Sequence, residues 1–223
     1  MSNQPVALFD LDGTLTDPKE GITRSIAYAL ERMARVSPDT DDLRFAIGPP
    51  LRASFATLLD TDDAHEIERA MTHYRERYAS IGLYENAVYP GIPETLNAMK
   101  SAGYRILLAT AKPHVYARTI LDHFELSAPF DGVYGCELDG TRQHKADLIA
   151  YLLEREHINL ALRPTVMIGD RVHDIDAAHA NGCQAIGVTW GYGSVAELQH
   201  ANTIVDRPAD IAETLATKYS RTA

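Results

Sequence analysis

Two aspartates stand two residues apart in Val6-Ala7-Leu8-Phe9-Asp10-Leu11-Asp12-Gly13-Thr14-Leu15-Thr16, where an apolar, strand-like run breaks into a Gly/Thr turn. A carboxylate at the end of a buried strand is held rigidly at a sheet edge, which is where open α/β sheets bind ligands. The pair reads as a nucleophile, Asp10, and a general acid/base, Asp12. Read alone it would also fit a strand end carrying two exposed carboxylates, and the acidic cluster further along the chain would then be coincidence.

Three more segments sit where strands hand over to loops: Ala109-Thr110-Ala111-Lys112-Pro113, Gln143-His144-Lys145-Ala146, and Ile168-Gly169-Asp170-Arg171-Val172-His173-Asp174. Thr110 ends a strand in this reading and Pro113 suits the first turn of a helix, so the hydroxyl and nearby backbone N–H groups could receive phosphate oxygens. In isolation Thr110 is more simply a helix-capping threonine; its companions reverse that order. Asp170 is a third carboxylate at a strand end, and Asp174 follows four residues on, within reach if the segment coils. Carboxylates about 5 Å apart repel by about 3 kcal/mol per pair at an effective dielectric near 20, so such a crevice needs cations. Hard oxygen ligands suit Mg2+, and with no HExxH or His-rich pattern to suggest zinc, His173 and His179 read as bystanders. Lys145 supplies a point charge at a helix start, able to neutralise phosphate and hold the nucleophile. Together the segments carry the parts for phosphoryl transfer.

These residues need a scaffold that brings four strand ends to one edge. The chain alternates strand and helix from Pro90 onward: a helix from Pro90 to Gly103, a strand Tyr104–Ala109, a helix Pro113–Phe124, a strand Gly132–Cys136 and a helix His144–Glu156. It continues with a strand Pro164–Ile168, a helix Ile175–Ala180, a strand Gln184–Val188 and a short edge strand Thr203–Val205. Such alternation implies an α/β fold with a doubly wound, mostly parallel sheet and a Rossmann-like core. Between the first strand and this series, Asp17 to Tyr84 reads as helices, including Gly21–Ala34 and Asp63–Ala79, with no convincing strand. The expected organisation is a core of residues 1–16 and 86–223 with an inserted all-α cap of residues 17–85, hinged near 15–19 and 82–90.

Bulk properties narrow the partners. The 223 residues, 45% hydrophobic and 23% charged, describe an ordinary globular chain long enough for one core and a second small one. A net charge of −10 opposes nucleic-acid polymers and anionic membranes, leaving a small phosphorylated metabolite as the expected partner. Cys136 and Cys183 lie far apart without CxxC spacing, and no apolar run approaches the length of a spanning helix. The expectation is a cytoplasmic protein, monomeric or homodimeric.

In order and spacing, the four segments resemble the four motifs of the haloacid dehalogenase superfamily, in its phosphatase branch with a helical cap after the first motif. The resemblance spans essentially the whole chain. It implies that Asp10 becomes an aspartyl phosphate, that Asp12 protonates the leaving oxygen and then activates water, and that Thr110 and Lys145 hold the phosphoryl group. It also implies Mg2+ bound by Asp10, the backbone carbonyl of Asp12 and Asp170, with Asp174 direct or through water; Gly13 and Thr14 complete the loop, and Ala111 joins them as a substrate contact.

The stretches Phe9–Asp17 with Gly21-Ile22-Thr23, and Tyr134–Arg142 before Lys145, resemble the 5'-nucleotidase-like group and its phosphoglycolate phosphatase-like neighbours. Nucleoside 5'-monophosphates are therefore the expected substrates, 2-phosphoglycolate the alternative, and a sugar phosphomutase the second alternative. In the cap, Ile47-Gly48-Pro49-Pro50-Leu51-Arg52 is a stiff turn from which Arg52 could reach an anionic group, or simply be solvated. Tyr28, Phe45, Phe55 and Tyr74 could stack a base, although aromatics at helical spacing are more often core. Trp190-Gly191-Tyr192-Gly193 follows a strand and could line the site or form a tight structural turn.

Overall fold

The computed structural model describes residues 4–218. Its regular elements begin with β1 (Val6–Phe9), β2 (Thr16–Asp17), α1 (Lys19–Arg32), α2 (Leu51–Leu59), α3 (Ala64–Arg77), β3 (Ala87–Val88), α4 (Ile92–Ser101) and β4 (Arg105–Pro113). They continue with α5 (His114–His123), β5 (Gly132–Cys136), α6 (Lys145–Arg155), β6 (Thr165–Gly169), α7 (Val172–Ala180), β7 (Gln184–Val188), α8 (Val195–Leu198), β8 (Thr203–Val205) and α9 (Pro208–Lys218). The chain divides into two compact units, one formed by the segments up to Thr16 and from Val88 onward, the other by Asp17–Ala87.

In the first unit six strands form one sheet in the order β5-β4-β1-β6-β7-β8, and the pairings are parallel. Parallel strands covered by helices on both faces bury both sets of side chains, which explains why β1 and the Val166–Ile168 stretch of β6 are unbroken apolar runs and every residue of both strands is buried. On one face Val6, Leu8, Leu107, Ala109 and Met167 meet Ile149 and Leu152 of α6 and Ile175 and Ala178 of α7 in a continuous core. This is the expected doubly wound sheet. Its order matters for chemistry because β1 lies between β4 and β6, in the register Phe9 to Leu108 and Phe9 to Ile168. The residues just beyond those three strand ends therefore emerge side by side.

Several bounds differ from the sequence expectation. β4 passes through Thr110 to Pro113 instead of ending at Ala109, with a register shift against β5 between Thr110 and Pro113. α7 starts at Val172, three residues before the expected Ile175, and α8 and α9 had no sequence counterpart.

The second unit is helical. α1 buries Ile22, Ile26, Ala29 and Leu30, and α3 buries Ile67, Ala70 and Tyr74. Asp63 caps α3 by accepting from the His65 amide, and a π-helical turn, Tyr78–Gly82, follows it. Phe55 packs edge-to-face on Tyr74, which stacks on Tyr78 at a centroid distance of 5.0 Å. Phe55 and Tyr74 are thus core residues, while Phe45 is exposed and the Tyr28 hydroxyl donates to Glu76 at 3.4 Å. Among the described residues, no helix is long and apolar enough to cross a membrane.

Candidate active site

Asp10 continues the ladder by one residue beyond β1, its amide donating to the Ile168 carbonyl at 3.0 Å. That fixes a buried carboxylate at the sheet edge. Its Oδ2 lies 2.9 Å from Nζ of Lys145, the first residue of α6, and the same ammonium donates to Asp174. Asp174 sits in the first turn of α7 and accepts from the Arg171 amide at 3.0 Å. Asp170 follows β6 directly; its Oδ1 accepts from the Thr14 hydroxyl at 3.1 Å and its Oδ2 from the Tyr192 amide at 2.8 Å. One oxygen from each of Asp10, Asp170 and Asp174 falls within 4.8 Å of the others.

Three buried carboxylates beside one ammonium are short of positive charge. Burial raises the affinity of Asp170 for a proton, and Asp174 and Asp10 raise it further. Asp174 is likewise raised by burial, with Lys145 opposing. Burial works against the charge on Lys145, yet Asp10 and Asp174 outweigh it and hold the lysine protonated beyond its usual range. The cluster suits a hard dication: the donors are all oxygens, and Asp10 Oδ1 is buried with no hydrogen-bond partner. Such an oxygen could take a cation or a phosphorus atom.

Asp12 stands apart from that cluster. Its Oδ2 lies 2.7 Å from Nζ of Lys112, and its Oδ1 is buried without a partner. Burial raises its affinity for a proton and Lys112 opposes the rise, so this carboxyl is biased towards the protonated form a general acid needs. The turn that carries it is tight: the Leu11 carbonyl accepts from the amides of Thr14, Leu15 and Thr16. Gly13 has φ +83°, and a Cβ there would lie 2.3 Å from Asp170 Oδ2.

A family model for haloacid dehalogenase-like hydrolase matches residues 7–188, a span that includes Asp10, Asp12, Lys112, Lys145, Asp170 and Asp174. The chain belongs to the haloacid dehalogenase-like hydrolase family. It is 50% identical over 195 residues to a 5'-nucleotidase of Pseudomonas aeruginosa, covering 87% of each chain. It is 35% identical over 204 residues to the tyrosine-protein kinase PtkA of Mycobacterium tuberculosis, covering 90% of this chain and 67% of PtkA. It also resembles the crystal structure of a predicted phosphatase from Clostridium acetobutylicum, with TM-score 0.90, 38% identity, and coverage of 96% of this chain and 99% of that one.

Against the sequence reading of this family member, the structure brings Asp10, Lys145, Asp170, Asp174, Gly13 and Thr14 together as a connected set. Thr110 is buried, but it is no helix cap: α5 begins four residues later, and the Thr110 hydroxyl accepts from the Lys112 amide at 3.2 Å. The Ala111 carbonyl accepts from the Cys136 thiol. Arg52 does not project free from the Gly-Pro-Pro turn; it lies in the first turn of α2, in the helical unit, and pairs with Glu68.

Sequence reading left three contributions open or unseen. Lys112 was not assigned. The Trp190–Gly193 segment proves to be a collar: Trp190 Nε1 donates to the Thr14 carbonyl at 3.0 Å, Tyr192 donates to Asp170, and a Cβ on Gly193 would lie 1.8 Å from the Asp170 carbonyl oxygen. Gly169 leaves room for Asp174, whose Cγ would be 2.2 Å from a Cβ there. The sequence signal for Gly169 was a glycine beside an acidic motif, and for Trp190–Gly193 a Gly-rich turn following a strand.

Proposed function

We propose that this hydrolase is a phosphatase that cleaves phosphate monoesters through an aspartyl phosphate on Asp10, with nucleoside 5'-monophosphates as substrates. The observation that carries the mechanism is the asymmetry of Asp10: Oδ2 is held by Lys145 while buried Oδ1 has no partner. One oxygen fixes the orientation and the other keeps its lone pairs for attack.

Asp10 Oδ1 attacks phosphorus as the bond from phosphorus to the ester oxygen breaks, and the departing oxygen takes a proton from Asp12. Asp12 then accepts a proton from water, the water oxygen attacks phosphorus, and Asp10 is released with inorganic phosphate. Thr110 and Lys145 hold the phosphoryl oxygens, with Gly13 and Thr14 of the Asp10–Thr16 turn and Ala111 of β4 as further substrate contacts. Mg2+, held by Asp10, the backbone carbonyl of Asp12, Asp170 and Asp174, would neutralise phosphate charge during transfer. The burial of Asp12 supports its acid role, because burial favours a carboxyl that arrives protonated. The nucleotide preference is supported by the likeness to the Pseudomonas 5'-nucleotidase.

The test is phosphate release with and without Mg2+ from nucleoside 5'-monophosphates, 2-phosphoglycolate and sugar phosphates, with Asp10→Asn as blank. Selective Mg2+-dependent release from nucleotides is expected. Preference for phosphoglycolate would overturn the substrate; isomerised sugar phosphate without free phosphate would overturn hydrolysis.

A further inference from the structure

We propose that Lys112 is a positioning residue for Asp12, aimed at it by an irregularity in β4 that Gly135 makes room for. The inference rests on the acid/base role given to Asp12 above.

Lys112 is nine-tenths buried, and its Nζ meets Asp12 Oδ2 at 2.7 Å. The other Asp12 oxygen has no partner, so this ion pair fixes which way the carboxyl turns. The lysine reaches it because β4 is not regular there: pairing with β5 runs in step from Leu107 to Thr110 and then jumps to Pro113 against Cys136. Two residues of β4, Ala111 and Lys112, are thus inserted against a single step of β5, and such a bulge interrupts the ladder and re-aims the side chains within it. The bulging backbone settles onto Gly135 of β5, where a Cβ would lie 2.4 Å from the Lys112 carbonyl oxygen and 2.8 Å from His114 N and Cα. The same bulge turns the Lys112 amide onto the Thr110 hydroxyl. One distortion thus sets both a candidate phosphate contact and the orientation of the acid.

A lysine that contacted phosphate instead would act independently of Asp12, and a structural lysine would act on stability. A double-mutant cycle separates these. Lys112→Met should lower kcat for nucleoside monophosphates by about 10- to 100-fold with KM changed less than about threefold, a part of the range expected of general acid catalysis. The loss should be much smaller for an aryl phosphate whose leaving oxygen needs no proton. In an Asp12→Asn background, Lys112→Met should cost almost nothing more. Gly135→Ala, which displaces the bulge without touching either charge, should reproduce the kcat loss and the leaving-group dependence.

Additive losses in the cycle, a loss confined to KM, or a Lys112→Met enzyme with wild-type kcat would each overturn the positioning role. Wild-type enzyme that releases no phosphate from any ester would instead overturn the phosphatase reading, and this inference with it.

Discussion

Gly191 lies so close over Asp170 that a Cβ built on it would fall 2.4 Å from both Cβ and Oδ2 of that aspartate, and 2.4 Å from the Gly13 carbonyl oxygen. Two turns distant in sequence are therefore interlocked through a position with no side chain. Gly191→Ala must push apart the Asp10–Thr14 turn and the loop after β6. It should destabilise the protein by about 1–3 kcal/mol, the usual cost of overpacking, and weaken Mg2+-dependent phosphate release. Denaturant unfolding and an activity assay at saturating Mg2+ check both; wild-type values in both would contradict the interlock.

Asp10 and Asp12 should separate by their mutants. Asp10→Asn replaces the proposed nucleophilic carboxylate with a weakly nucleophilic amide and should abolish turnover. Asp12→Asn keeps the backbone carbonyl and should retain Mg2+ binding, seen as a thermal shift, while losing about 10²- to 10⁴-fold in kcat. Full activity in Asp12→Asn would remove it from the acid/base role.

Lys145 touches two buried carboxylates, so Lys145→Met leaves both uncompensated. The metal-free protein should lose about 3–5 kcal/mol, the cost of breaking a buried ion pair by removing one partner. Urea unfolding in EDTA reads it, and Mg2+ should restore part of the loss.

Stability of the metal-free protein should fall as pH rises. Asp12, Asp170 and Asp174 hold protons in the folded state above their ordinary value of 3.8. These three carboxyls thus bind more protons in the native chain than in the unfolded one above about pH 4, and through them linkage makes stability fall with pH. Asp41, Glu85, Asp139, Glu197 and Asp210, held below their ordinary values, act the other way only near and below about pH 4–5. Lys145 is raised, so its contribution is complete below its ordinary 10.5 and is lost only above that value. A dication replaces the protons of Asp170 and Asp174 as the pH rises. The melting temperature gained on adding Mg2+ should therefore be larger at pH 8 than at pH 5, and a gain independent of pH would place the cation elsewhere.

Arg52 and Glu68 are both about half exposed, so Arg52→Ala should change stability by less than about 1 kcal/mol. With folding unaffected, a rise in KM for nucleotides would report a substrate contact, and an unchanged KM would leave Arg52 as a surface ion pair.

The parts of this molecule that were legible in the sequence are those where a local pattern states the environment. The run Val6–Phe9 is apolar without alternation, which only a strand buried on both faces requires, and the same holds for Val166-Met167-Ile168 before Asp170. The element series from α4 to β8 could be read from apolar periodicity and Gly or Pro punctuation. What could not be read depends on contacts between distant segments. Ala111-Lys112-Pro113 has poor strand propensity, and β4 extends through it because β5 offers a glycine for the bulge to lie on. Whether Lys112 was solvated or paired followed from that bulge. Gly191 and Gly193 showed only as turn residues, since Asp170, against which they pack, lies about twenty residues earlier. Arg52 looked available because its partner, Glu68, belongs to another helix.

The place of β1 in the sheet has a consequence for how the protein is made. Its Val6 pairs with Arg105 on one side and Thr165 on the other, so the strand that ends in Asp10 leaves the ribosome with neither neighbour yet synthesised. Contacts so remote in sequence form late, because a long loop must close before they return any free energy. The site cannot be assembled on a nascent chain that stops short of β6. A fragment lacking β6 would carry Asp10, Asp12, Thr110 and Lys145 intact in sequence, yet leave the apolar β1 as an open edge beside β4, a species prone to aggregate.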